Sequence, residues 1–247
     1  MRADPLLGEN EWRSRQGNAC SENRDAAGLH VGACQTVAVI ADGASQGPKG
    51  AHLARYWVDA VRSTALSTPL LSPDSLITAL RAVHGGLRKK GFLHEIAAYA
   101  VLVIDRARGA CWALSSGDCR IGVSRDTGEV TWLSPVQTAA NPLGEPVDEA
   151  HAQNPRRHLL TNRLRVGRFD RPTVTPLEVQ NVRQWLLATD GFWLEHLLLK
   201  RSVDTLQDDA SVLSLTEYAA ETKILSNCDN FRRSALAQSE AKPLQPD

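Results

Sequence analysis

The sequence predicts an α+β fold, and three observations carry that prediction. An apolar run, Thr36 to Ala41, reads as a buried strand and stops abruptly at Asp42-Gly43. Two helical patterns follow, one over residues 51–66 and one opening at Ser72. The pattern then changes to short apolar stretches at 97–104, 110–114, 119–124 and 129–133, separated by turn residues such as Arg108-Gly109 and Asp126-Thr127-Gly128. These read as an antiparallel meander, and helices segregated from strands indicate α+β rather than alternating α/β order.

Taken in order, residues 1–16 are polar and expected to be irregular at first, ahead of a weak strand near 27–31. The first helix places Leu53, Trp57, Val58, Val61 and Ala65 on one stripe. The second has Ser72 as N-cap, Pro73 at the first helical position, and Leu76, Ile77, Leu80, Val83 and Leu87 as its apolar face, with Gly85-Gly86 weakening its end. Beyond the meander, Pro135, Pro142, Pro146 and Pro155 punctuate a long irregular segment reaching His158, the kind of loop that often carries function. Edge strands are expected at 158–161 and 174–177, a buried strand ending at Asp190, a short helix at 192–200, and a closing strand at 210–215. Residues 220–247 are polar with little periodicity, which predicts a helix at most and then a loose tail.

Composition narrows the function. The chain of 247 residues carries 28 basic and 28 acidic side chains, so wholesale electrostatic binding to nucleic acid is not expected. Its five cysteines form no C-x-x-C pair, which argues against zinc and for reduced thiols in a cytoplasm. The first fifteen residues are charged and lack an apolar segment, so no signal peptide is expected. No apolar run approaches the roughly 20 residues of a membrane-spanning helix. The glycine-rich loop from Gly43 to Gly50 fails as a phosphate-binding P-loop: it has one residue too few between its glycines and no hydroxyl after Lys49.

Chemistry points to acids at strand ends. Asp42-Gly43 and Asp190-Gly191 each terminate an apolar run, and Asp208-Asp209 opens one. Each Asp-Gly pair alone is an ordinary turn dipeptide. Three such acids far apart in sequence suggest one site for a hard cation, assembled by folding.

Five stretches, in this order, resemble the motifs of metal-dependent protein phosphatases of the protein phosphatase 2C family. They are Asn23-Arg24-Asp25, Asp42-Gly43-Ala44-Ser45, Gly117-Asp118-Cys119-Arg120, Thr189-Asp190-Gly191, and Asp208-Asp209-Ala210-Ser211-Val212. The resemblance covers roughly residues 15–216. It implies a four-layer α-β-β-α sandwich, two antiparallel sheets flanked by helices, with the site at one end where strand tips converge. It divides the chain into an N-terminal extension (1–15), a catalytic domain (16–218) and a polar C-terminal tail (219–247).

By that resemblance Asp42 would bridge two Mn²⁺ or Mg²⁺ ions and Gly43 would lend its carbonyl. Asp190 and Asp208 would hold the first ion, Asp25 would orient waters at the second, and Asp118 with Asp190 would serve a weaker third. The implied function is a cytoplasmic, monomeric serine/threonine protein phosphatase acting on a phosphorylated protein, with a cognate Ser/Thr kinase as a partner and neither nucleic acid nor membrane. Departures from the family pattern are Cys20 where an arginine usually grips phosphate, Arg24 in place of Glu or Gln, and Ala44-Ser45 in place of two glycines. Arg24 could therefore supply a guanidinium to phosphate or weaken a cation beside it. Two alternatives stand: a weak or inactive phosphatase fold that binds a kinase or phosphoprotein, and a hydrolase of small phosphate esters.

Overall fold

The computed structural model describes residues 9–45, 47–125, 129–178, 182–216, 219 and 221–235; the turn expected at 126–128 and the end of the tail lie outside them. Strands β1 (Asn10–Arg15), β2 (Asp25–Val31) and β3 (Gln35–Gly43) precede helices α1 (Gly50–Ser67) and α2 (Pro73–Gly85). Next come β4 (Ile96–Asp105), β5 (Ala110–Ser116), β6 (Arg120–Ser124), β7 (Val130–Trp132), the short helix α3 (Glu149–Gln153) and a 3₁₀ turn, Pro155–His158. Short β8 (Leu164–Arg165) and β9 (Arg168–Phe169), then β10 (Thr173–Leu177) and β11 (Gln184–Ala188), lead to a π-helical segment, Gly191–Leu198, and a 3₁₀ turn, Val203–Thr205. Strands β12 (Ala210–Leu215), β13 (Thr222–Leu225) and β14 (Phe231–Ala235) complete the described chain.

Two sheets face each other. One runs β13-β1-β12-β11-β6-β7, the other β10-β5-β4-β3-β2-β14 with β8 and β9 attached to β4. Every pairing is antiparallel except at two edges, where β13 runs parallel to β1 and β14 parallel to β2. Period-two alternation explains the apolar run of β3. Its Ala38 and Ile40 enter the core between the sheets with Trp12, Leu29, Leu102, Ile121, Leu187 and Leu213. Its Val37, Val39 and Ala41 enter a second core under α1 and α2, with Leu53, Trp57, Val61, Leu76 and Leu80. A strand buried on both faces has no polar position until its tip, so the first acid it can present is Asp42.

The opposite outer face is thinner: Trp193, Leu194 and Ala152 cover Leu186, Ala188 and Val212. Helix α2 starts where its cap residues place it, with Ser72 and Ser75 exchanging hydrogen bonds in a reciprocal box.

Four expectations need correction. The meander does not stay in one sheet: β5 and β6 lie in different sheets, and the chain crosses between them at Gly117-Asp118-Cys119. The edge strand expected at 158–161 reduces to the end of a 3₁₀ turn and a single bridge, Thr138 to Leu160. The boundary drawn after residue 15 leaves β1 outside the domain, although β1 lies between β12 and β13 in one sheet.

The polar tail is the largest departure, since β13 and β14 are strands of the two sheets. Asn230, 1% exposed, explains why a polar segment is tied down. Its Oδ1 accepts the indole N–H of Trp12 at 3.1 Å, and its Nδ2 donates to Ser14 Oγ at 2.8 Å and to the carbonyl of Asp25 at 3.1 Å. Phe231 stacks on Trp12 with ring centroids 5.9 Å apart. Removing such a hub leaves buried donors and acceptors unpaired, each costing about 1–3 kcal/mol. Asn230→Ala should therefore lower stability by about 2–3 kcal/mol in urea unfolding; an unchanged midpoint would show that the C-terminal strands are dispensable.

Candidate active site

Six carboxylates meet where the tips of both sheets converge. Asp25 opens β2 and lies directly across from Asp42 near the end of β3. Asp118 sits in the crossover between sheets, where Gly117 adopts φ +96°, a conformation that only glycine takes cheaply. Asp190 follows β11 through Thr189 and opens the π-helical segment; Asp208 and Asp209 precede β12. An open polar cavity is lined by Asp42, Gly43, Asp118, Asp190, Asp208 and Asp209, together with Arg24, Ala44, Ser45, His158 and Leu160. The structure thus gathers Arg24, Asp42, Gly43, Asp118, Asp190 and Asp208, as the sequence predicts, and sets Asp25 behind Asp42.

Hydrogen bonds fix the acids from behind. Asp25 Oδ2 accepts from Thr189 Oγ1 at 3.0 Å, and the Asp25 N–H donates to Asn23 Oδ1 at 3.0 Å. Asp25 Oδ1 is buried without a partner among the described residues. Asp209 accepts the backbone N–H groups of Arg24 at 2.7 Å and Gly17 at 2.9 Å, so it ties two loops together. The Asp118 carbonyl accepts the Trp193 indole N–H at 2.8 Å. Gly43 permits close approach: a Cβ there would come within 2.3 Å of the Gly50 carbonyl oxygen, so α1 begins hard against the tip of β3.

Charge is unbalanced. Burial, then the neighbouring Asp25, Asp190, Asp208 and Asp118, holds the Asp42 carboxyl well above the usual range. Burial and Asp209 do the same to Asp25, and burial with Asp118 and Asp208 to Asp190. Burial pushes Asp118 up to about 6. Such groups attract cations, and an all-oxygen donor set with a buried, unpartnered Asp25 Oδ1 suits hard divalent ions.

Sequence reasoning missed Arg157 and Glu195. Arg157 Nη1 is 3.2 Å from Asp190 Oδ2 and its Nη2 is 3.4 Å from Glu195 Oε1, while Arg201 reaches Glu195 Oε2 at 3.2 Å. One sequence signal was available: Glu195 is the lone acid within the apolar stretch Phe192 to Leu199. His158 also lines the cavity, although no histidine falls in a motif. Cys20 lies beside Asp208, its Sγ 3.6 Å from Oδ1, where burial and Asp209 push the thiol up to about 12. Arg24 is only loosely paired, its Nε 3.9 Å from Glu22, and its backbone does the structural work, donating to Asp209 and accepting from Gly43 at 3.1 Å.

No family model matches this chain, and no curated protein matches it. Solved structures do match in fold. Serine/threonine phosphatase Stp1 from Staphylococcus aureus superposes with a TM-score of 0.72 at 15% identity, covering 87% of this chain and 97% of that one. The PPM Ser-Thr phosphatase MsPP from Mycobacterium smegmatis, in complex with cacodylate, gives 0.68 at 19% identity, covering 85% and 98%. The catalytic domain of the serine/threonine protein phosphatase PstP, in complex with two manganese ions, gives 0.60 at 20% identity, covering 83% and 96%. The chain therefore has the fold of the bacterial PPM, or protein phosphatase 2C type, Ser/Thr phosphatases. The four-layer α+β sandwich expected from the motifs is the one observed.

The raised carboxyls have a consequence for stability. A carboxyl whose folded pKa exceeds its unfolded value binds more protons folded than unfolded. Its contribution is fully present below the unfolded value and is lost as pH rises through the folded one. For Asp118 that window runs from 3.8 to about 6, and Asp25, Asp42 and Asp190 contribute with the same sign. In chelator, unfolding free energy should fall as pH rises from 3.8 through about 6, and millimolar Mn²⁺ should flatten that slope. A slope of opposite sign in chelator would mean that these acids are ionised and satisfied without a cation.

Proposed function

We propose that this protein is a metal-dependent serine/threonine protein phosphatase, hydrolysing phosphoserine or phosphothreonine on a partner protein. The observation that carries the reading is the convergence of five carboxylates from distant strands on one open cavity, with Asp25 behind them and few counter-charges. The shared fold with bacterial Ser/Thr phosphatases supports it. A cognate Ser/Thr kinase is the partner that this reading entails. The five free cysteines fit a reducing cytoplasm, no helix among the described residues is long and apolar enough to cross a membrane, and we expect a monomer.

Two Mn²⁺ or Mg²⁺ ions, when bound, would lower the pKa of a shared water and clamp the oxygens of an in-line displacement at phosphorus. Asp42 with the Gly43 carbonyl would hold both ions, and Asp190 and Asp208 the first. Asp25, pinned by Thr189 and Asn23, would orient water at the second, and Asp118 adds charge at the far edge. Arg24 lines the cavity with a loosely paired guanidinium free to grip phosphate in a charge-assisted contact, standing in for the arginine that Cys20 replaces. No side chain is needed as nucleophile. The small-ester alternative shares this site and differs only in what the cavity mouth admits.

One observation favours a binding module instead: Arg157 already occupies Asp190. Manganese-dependent assays with para-nitrophenyl phosphate and a phosphothreonine peptide decide between them. Asp190→Asn should fold and fall below about one hundredth of wild-type turnover; retention of more than about a third removes Asp190 from the mechanism. Arg24→Gln should raise KM for the phosphopeptide about tenfold, the worth of one charge-assisted hydrogen bond, with a similar manganese requirement. If Arg24→Gln instead tightens manganese binding and awakens activity absent from wild type, the binding-module reading is the right one.

A further inference from the structure

Five of the six clustered carboxylates have no ion pair among the described residues; Asp190 does, and its partner is Arg157. The guanidinium is largely enclosed, with its side chain 14% exposed, and it is held from two sides. Glu195, in the second turn of the π-helical segment, anchors Nη2 at 3.4 Å, and Glu195 is itself steadied by Arg201 at 3.2 Å. The other prong, Nη1, faces Asp190 Oδ2 at 3.2 Å. Asp118 is the carboxylate that acts most strongly on Asp190, and Arg157 favours the ionised form of both. One guanidinium, fixed by a carboxylate outside the cavity, therefore sits at the Asp190–Asp118 edge of the cluster.

We propose that Arg157 is a tethered cation that fills one cation position at the Asp190–Asp118 edge, and so limits how many divalent ions the cavity accepts. The inference rests on the metal-dependent reading above. A tethered cation competes at high effective concentration, because it need not be recruited from solution. A divalent ion placed on the same Asp190 oxygen would be repelled at short range by the guanidinium and would leave it half-paired in a buried setting. Glu195 keeps Arg157 from swinging out to solvent. Divalent ions are thereby directed to the Asp42–Asp208 side of the cavity.

The test is Mn²⁺ titration by calorimetry, without substrate, on the full chain. Arg157→Gln should take up one more Mn²⁺ per chain than wild type, and the added ion should disappear in Arg157→Gln/Asp118→Asn. Arg157→Lys keeps the charge and should stay at the wild-type count. Should Arg157→Gln fail to fold because Glu195 keeps only Arg201 as a partner, Arg157→Gln/Glu195→Gln removes one charge of each sign and carries the same expectation. Equal ion counts in wild type and the Gln variants, with wild type binding manganese, would overturn this inference and leave the metal reading intact. A gain in Arg157→Lys as well would overturn it by showing that shape, not charge, sets the count. No manganese binding by any variant would overturn the metal reading, and this inference with it.

Discussion

Mutual repulsion among carboxylates withdrawn from water is the constraint on which the rest of this structure depends. Moving even one carboxylate out of water costs several kcal/mol after relaxation, and neighbours of like sign add to that. Here Asp25 and Asp42 face each other in adjacent strands, with Asp118 and Asp190 close by. The chain sustains this because each acid is the terminus of an element whose position is decided elsewhere. Strand β3 is fixed by two apolar cores, and β2 follows it in register. The acids have no freedom to separate: Thr189 donates to Asp25 Oδ2 and the amides of Gly17 and Arg24 donate to Asp209, while Asp25 Oδ1 stays without a partner among the described residues.

Much of this was legible in the sequence, and what was legible shares a physical cause. Runs such as Val37 to Ala41 and Trp185 to Ala188 state their burial directly, so the residues that end them are placed with them. The Ser72-Pro73 start of α2 is likewise local, since a cap needs only its own turn. What was hidden depended on partners distant in sequence. Strand β1 alternates exposed and buried residues over six positions, too short and too polar to declare itself, and it forms because β12 and β13 flank it. Residues 222–225 and 231–235 carry charged and polar side chains, and edge strands can afford them because one side meets solvent. Arg157 was invisible because an arginine in a proline-punctuated loop looks solvated until Glu195 is folded beneath it.

At 15–20% identity to the three phosphatases compared above, the fold is retained. Cys20 puts a weakly polar thiol against Asp208. The positive charges near the acids now come from Arg24, whose backbone is committed to Asp209 and Gly43, and from Arg157, whose side chain is committed to Glu195.

The two C-terminal strands bear on how the molecule comes into being. Strand β14 lies beside β2, and Asn230 just before it ties Trp12 and Ser14 of β1 to the carbonyl of Asp25. A ribosome delivers β1 and β2 well before these partners, more than 200 positions earlier for the Trp12–Asn230 contact. Contacts so distant along the chain close slowly and cannot reward folding until both ends are present. A nascent chain lacking residues 222–235 would hold Asp25 at an unfinished sheet edge, so the acid cluster takes its final form only once those residues have been made. The order of synthesis thus postpones the most electrostatically costly part of the molecule until everything that supports it exists.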